Sequence, residues 1–404
     1  MNVSLSSQLE SPLLTDLQSA IITKPFSYSL TKNFPLVAKS SVRVSSNTTP
    51  SGSVYGKNLS FKVPKYGLVS GMMLKYNITS TVDASAASLP RLTTIGSRFA
   101  ANTSLRAHNR VIQDNDFDYI ENRIANSSDE LQVAYTNMTT SDVAIPVSGG
   151  TLATHEFMCP LFFYFGERTE NYLDLEFCEP LEVSVEINSR TAMWGTTETD
   201  IDFSFNSVEL VVYYVNQTQE VASALQQSQF RQDEALTMLA NDSYRETVLE
   251  VAYDDSVDNQ VKSAAVTCRS NNVITASHIT VRDQDTGVLL PITSVTLASA
   301  GRTLVDSTRK ENIFENTQMH VHNSIPGSSS AIDKYSVHYG FDSDKTYFSG
   351  GQAFDGLSAP IYTIVCDLTG YSADTTLEFR VQHDYLTLIS ISSNSGAVSR
   401  SLAN

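Results

Sequence analysis

Basic side chains are scarce in this 404-residue sequence: 27 Lys and Arg stand against 44 Asp and Glu, a formal charge of −17 at pH 7. A chain so charged repels a phosphate backbone instead of releasing its counterions, and the Arg-containing stretch Leu105–Arg110 is isolated, so direct nucleic-acid binding is not expected. Long apolar runs are also missing. No segment approaches the roughly 20 residues of a membrane-spanning helix, and the N-terminus has no basic stretch leading into an apolar core, so the expected place of synthesis is a reducing cytoplasm. Cysteine is limited to Cys159, Cys178, Cys268 and Cys366, far apart and without CxxC or Cys/His ligand spacing. That excludes a dense disulfide scaffold and leaves buried free thiols as the expectation, with a Cys159–Cys178 pairing open. The Gly-x-Ser-x-Gly elbow, the phosphate-binding Gly-rich loop, the dinucleotide fingerprint and the His-Glu-x-x-His helix are all absent. No cofactor is expected, and the chain is read as not an enzyme.

What remains is a chain of strands. Charged residues are only 18%, while 41% are apolar, with 18 Phe and 18 Tyr, enough to fill two cores of roughly 160 to 200 residues each. Period-two alternation runs through Phe26–Leu30, Val42–Val44, Leu59–Val63, Leu68–Val82, Leu181–Ile187 and Ile201–Val215. The nearly continuous apolar stretch His155–Phe165 predicts a strand packed on both faces. Residues 217–240 form the only long helical pattern, with Val221, Leu225, Leu236 and Leu239 on one face, and they separate two β-rich halves. Strands then follow at Thr247–Val251, Ile279–Val281, Val288–Ile292, Lys334–Phe341, Pro360–Leu368, Thr376–Gln382 and Tyr385–Ile391. Ser11-Pro12 opens a short amphipathic helix in an N-terminal arm. The expected organisation is all-β: an arm over 1–25, a first sandwich over 26–216, a helical connection over 217–242 and a second sandwich over 243–404. Each sandwich has room for about eight strands, and loops are expected at 83–90, 190–200, 323–333 and 342–358.

Three groups invite a chemical reading. Asp114, Asp116 and Asp118 alternate, with Glu121 nearby, and hard cations want several such oxygens. Tyr119 stands where a calcium-binding loop needs Gly, so an acidic surface loop is the simpler reading and no metal is assigned. His320 and His322 share a strand face with His338 as a candidate third ligand, although solvated histidines explain them as well. Trp194 falls in a predicted loop, where an aromatic stacks either a sugar or its own domain. It supports an alternative reading as a secreted or surface tandem sandwich that binds carbohydrate or a protein receptor.

The segment His155-Glu156-Phe157 leading into Pro160-Leu161-Phe162-Phe163, followed by Leu173-Asp174-Leu175 and Leu181-Glu182-Val183, resembles the double jelly-roll major capsid proteins of icosahedral DNA viruses. Tyr244-Arg245-Glu246-Thr247-Val248 is similar to that family's interdomain connection, and Leu297–Leu304, with Gly301 and Arg302, and Tyr347–Gly351, with Ser349 and Gly350, are similar to later segments in the same order. The resemblance covers roughly residues 26–395. It implies two tandem eight-stranded jelly rolls and pseudo-hexagonal homotrimeric capsomers that build an icosahedral shell around the genome. It also implies location in the virion, with other capsomers, minor capsid or vertex proteins and an internal membrane as candidate neighbours. A minor vertex or scaffold protein is the alternative within the same lineage.

Overall fold

The computed structural model describes residues 37–47, 54–82, 95–125, 127, 129–140, 153–166, 173–176, 178–194, 201–217, 236–251, 261–268, 272–284, 289–308, 310–312, 334–339, 351–353, 359–368, 376–392 and 395–402. The first half contributes β1 (Val37–Ser45), β2 (Asn58–Lys62), β3 (Leu68–Val82), β4 (Ala100–Ala107), β5 (Arg110–Asp116), β6 (Ala153–Leu161), the two-residue β7 (Leu173–Asp174), β8 (Leu181–Ile187) and β9 (Ile201–Gln217). The second contributes β10 (Leu236–Val251), β11 (Val261–Thr267), β12 (Val273–Asp283), β13 (Leu289–Leu290), β14 (Ile292–Ser299), β15 (Arg302–Thr308), β16 (Lys334–His338), β17 (Gln352–Ala353), β18 (Ile361–Asp367), β19 (Thr376–Ile391) and β20 (Val398–Leu402). Four helical pieces accompany them among the described residues: α1 (Ile95–Arg98), α2 (Phe117–Ala125), α3 (Asp129–Thr139) and α4 (Arg190–Trp194).

Every described pairing is antiparallel, and both halves use the same order. One sheet of the first half runs β1-β9-β3-β6 and the other β2-β8-β4-β5; in the second half the sheets run β10-β19-β12-β16 and β11-β18-β14-β15. Numbering the eight principal strands of each half in turn gives 1-8-3-6 facing 2-7-4-5 both times, so each half is a jelly roll. The fourth and fifth strands form the same hairpin in each. Ser299 and Arg302 bracket Ala300 and Gly301, both at positive φ as a two-residue hairpin turn requires, while Ala107 and Arg110 bracket a turn with His108 at φ 54°.

The alternation seen in the sequence sets the cores. Leu181, Val183, Val185 and Ile187 of β8 point inward, as do Tyr362, Ile364 and Cys366 of β18. Tyr76, Phe99 and Phe157 stack into one aromatic cluster with centroids 4.3 to 5.5 Å apart. The first core also takes in Met238 and Ala240 of β10, Ile389 and Ile391 of β19, and Val398 of β20, so the ends of the second half's longest strands complete the first sandwich. All four cysteines are buried and none is in a disulfide, Cys159 and Cys178 included, and burial pushes the thiols of these two up to about 12.

Several expectations change. Residues 236–242, placed in the helical connection, are the start of β10: Met238 and Ala240 are buried while Thr237 is exposed, and Leu236–Asp242 pair with Tyr385–Ile391. A period-two pattern with a ready partner strand outweighs helix-forming residues there. Gln217 ends β9, and 218–235 lie outside the described residues, as do the arm, Phe26–Leu30, 83–90, 323–333, His320, His322, Ser349 and Gly350. The strand expected to continue to Phe165 stops at Leu161. Phe163, Tyr164 and Phe165 are all buried, and Tyr164–Gly166 turn in a 3₁₀ helix. Pro160 is tolerated because β6 is an edge strand among those described. The strands expected at 376–382 and 385–391 are one, β19, and the start of the loop expected at 190–200 is α4, which holds Trp194. The helices α2 and α3 were not expected at all.

A buried histidine makes the second core acid-sensitive. His383 accepts or donates at Nδ1 with Ser277 Oγ (2.8 Å), stacks on Tyr244 and leaves Nε2 unpaired. Burial, with a smaller push from His278 and against the pull of Asp384, lowers its pKa from 6.5 to about 3. A depressed value means that the stability this group confers is complete above pH 6.5 and is lost as pH falls toward 3. Urea unfolding followed across that window is expected to show a decline that is shallower in a His383→Asn chain.

Candidate functional site

The junction between the two sandwiches is the most elaborate polar site among the described residues, and it starts from simple strand periodicity. In β12 and β19 the residues Ile279, Val281, Leu377, Phe379 and Val381 enter the second core, which turns His278, Thr280, Arg282, Glu378, Arg380 and Gln382 to the opposite face. The register sets Arg282 across from Glu378, Thr280 across from Arg380 and His278 across from Gln382. Such a face belongs in water on a single sandwich. Here α2 of the first half lies over it.

Helix α2 begins where Asp116 caps it, its Oδ1 accepting the Tyr119 N–H at 2.9 Å. The helix is buried on every side. Ile120 and Ile124 enter the first core, while Asp118 and Asn122, one turn apart, face the second half. Arg282 Nη2 donates to both Asp118 oxygens at 2.8 and 2.9 Å, and Arg380 forms a further ion pair with the same carboxylate. Arg380 also donates to Glu378 at 2.7 Å. Asn122 donates to Gln382 Oε1 at 3.0 Å, and Gln382 donates to Asp116 Oδ1 at 2.9 Å. On the first-half side Arg98 donates to Glu121 at 2.7 Å.

The electrostatics follow from this packing. Burial opposes the charge of Arg380, but Asp118 and Glu378 overcome it and hold its proton more tightly than usual. Glu121 does the same for Arg98. Burial raises the Asp116 carboxyl, and the neighbouring Asp118 raises it further, against Arg380 and Arg245. Beside the network a cleft of about 560 Å³ carries Asp114, Glu186 and Arg245 on its wall.

The edges of the two sandwiches complete the junction. Strands β10 and β20 pack on β5. Gln113 donates to the Asn241 carbonyl at 3.0 Å, Arg245 meets Asp116 at 3.4 Å, and Arg400 reaches the Ile112 carbonyl at 3.5 Å and Asp242 at 2.6 Å. Glu179 of the first half receives the Val398 N–H at 2.8 Å and gives its own N–H to the Gly396 carbonyl at 2.9 Å.

The residues singled out in the sequence are dispersed. Asp114 is exposed on β5, Asp116 ends that strand, and Asp118 is committed to two guanidiniums, so strand and helix replace the expected acidic loop. Among the described residues no group of three His, Cys, Asp or Glu side chains is placed to hold a metal. His155, Pro160, Leu161 and Phe163 are buried in or just after β6, and the Phe162 carbonyl accepts from Asn115 at 3.2 Å. Gly301 and Arg302 sit far along the chain at the β14–β15 turn. Arg282, Glu378, Arg380, Gln382, Asn122 and Gln113 were missed. The alternation of Arg282, Glu378, Arg380 and Gln382 with apolar neighbours signals an outward strand face, and only the neighbouring helix turns that face inward.

Replacing Asp118 by Asn leaves two buried guanidiniums undercompensated, and the expected cost is about 3–5 kcal/mol in urea unfolding, with faster cleavage between the halves by trypsin. Asp116 is the opposite case. Its raised pKa means that the native state holds the proton more tightly, so its contribution is present at low pH and lost as pH rises through the folded value. Asp116→Asn, which keeps a capping oxygen, is expected to be neutral or stabilising at pH 7.

No family model matches the sequence, and no curated protein matches it. Solved structures do. VP54 of PBCV-1, fitted into a reconstruction of the virophage Sputnik, is 12% identical with a TM-score of 0.67, covering 94% of this chain and 100% of that one. The Faustovirus major capsid protein is 10% identical with a TM-score of 0.63 and covers 94% of each chain. The mavirus major capsid protein is 8% identical with a TM-score of 0.58 and covers 90% of each. Identities this low speak to architecture, and the strand order, repeated in both halves, agrees with it: this chain has the double jelly-roll fold of those viral capsid proteins.

Proposed function

We propose that this chain is a viral major capsid protein that self-assembles as a homotrimer and builds an icosahedral shell, with no catalytic role. The observation that carries the reading is the repetition of one jelly-roll strand order twice in a single chain, joined through a buried polar junction. A rigid pair of like sandwiches gives a trimer six like wall elements, which suits a threefold particle to six-coordinated positions of a lattice. Full-length likeness to capsid proteins of several viruses supports the same reading. The charged groups of the junction point the same way, because Asp118, Glu378, Arg282 and Arg380 are spent on one another and not left poised for proton transfer.

On this reading the first jelly roll spans 26–216 and the second 243–404 with the preceding start of β10, the working surfaces are sandwich walls, and the chain resides in the virion after synthesis in the host cytoplasm. Light scattering on the purified chain is expected to give three times 44.3 kDa, about 133 kDa, with a pseudo-hexagonal outline in negative stain. A stable bilobed monomer would sink the proposal.

A further inference from the structure

The two fourth–fifth strand hairpins match in more detail than topology requires. Each carries a bulge at the third residue of its second strand: Ile112 on β5, between the pairs Arg106–Val111 and Leu105–Gln113, and Leu304 on β15, between Ala298–Thr303 and Leu297–Val305. Both bulged strands end their four-stranded sheets. Counting from the bulge, Arg110 corresponds to Arg302, Asp114 to Asp306 and Asn115 to Ser307.

The two positions differ in cover. Ile112 is 2% exposed because β10 and β20 of the second sandwich close over β5, whereas Leu304 is 48% exposed on an edge strand whose residues 302, 303, 304 and 306 all face solvent. An open edge with an exposed leucine at its bulge is a place for pairing or packing with another chain. The strand that corresponds to β10 in the first sandwich is β1, also an edge. Where β10 buries Asn241, whose carbonyl accepts from Gln113 of β5, β1 buries none of its residues 39–45 fully and turns Lys39 and Arg43 outward, Arg43 within 3.8 Å of Glu209 on the neighbouring strand. The signs also fit: within the chain a cation on β10, Arg245, meets an acid on β5, Asp116. On β15 the counterpart of Asp116 is Thr308, so between chains the acid that Lys39 and Arg43 of β1 would meet is Asp306, two residues back on the same face.

We infer that β15, with Leu304 at its bulge, docks on β1 of a second copy of this chain, repeating between chains the contact that β5 makes with β10 within one. The contact is head to tail, so three copies close a ring in which internal and intermolecular versions of one interface alternate. This rests on the capsomer reading and adds to it the surfaces that join the subunits.

The test compares particle masses by light scattering, with thermal melts followed by circular dichroism. The wild-type chain is expected as a trimer, and Leu304→Asp as a 44.3 kDa monomer that still melts cooperatively, because Leu304 contributes little to its own core. Lys39→Glu/Arg43→Glu, on the opposite surface, is expected to be monomeric too and gives an independent reading should Leu304→Asp fail to fold. An equimolar mixture of the two variants keeps one intact β15 and one intact β1, and is expected to form a one-to-one pair of about 89 kDa. A Leu304→Asp chain that still runs as the wild-type trimer overturns this contact and leaves the capsomer reading standing. A monomeric wild type overturns both.

Discussion

The architecture turns on one carboxylate. Asp118, at the start of a helix from the first sandwich, is held between Arg282 and Arg380, which stand on neighbouring strands of the second. Two guanidiniums on adjacent strands, with Glu378 between them, make a fixed fork that accepts a planar carboxylate in one orientation. Burying these charges costs desolvation that their attraction only partly returns, so the network contributes little net stability compared with an apolar seam of the same size. What it supplies is geometry. An apolar seam tolerates sliding, whereas this one leaves charges unpaired in any other register.

The remaining junction contacts follow from the length of the second half's strands. β10 and β19 each run 16 residues, and the surplus at one end carries Met238, Ala240, Ile389 and Ile391 into the first core. β20 pairs with β19 over that end, and Arg400 and Val398 fasten it to the first half. Apolar ends thus provide the burial, and the charged centre provides the angle. The two cores are thus joined by apolar strand ends and by a charged centre within one chain.

Much of the fold was legible in advance. Alternation fixed the inward residues of β3, β8 and β9, and the even spacing of strands on both sides of the chain's middle indicated two sandwiches. Misreadings came where local pattern and tertiary setting part company. Leu236 and Leu239 suit a helix as well as a strand, and pairing with Tyr385–Ile391 decided between them. Phe117, Ile120 and Ile124 do recur at helical spacing, but the segment is short and the aspartates from Asp114 to Asp118 drew the reading toward an acidic loop. The three aspartates from Asp114 to Asp118 suggested a cation, and the cations that meet Asp118 are arginines some 160 to 260 residues away in sequence.

The sequence by itself determined which residues lie on which side of most strand segments, since side-chain direction has a period of two that only a bulge interrupts. Its four scattered cysteines also excluded a dense disulfide scaffold. Only the tertiary structure decided what covers the polar sides. Arg282 and Arg380 alternate like solvent-facing residues and are buried; Leu304, at the bulge of β15, is a large apolar residue that is exposed. That difference depends on which element packs against a face, and packing partners come from distant parts of the chain or from another copy of it, where no local periodicity reaches.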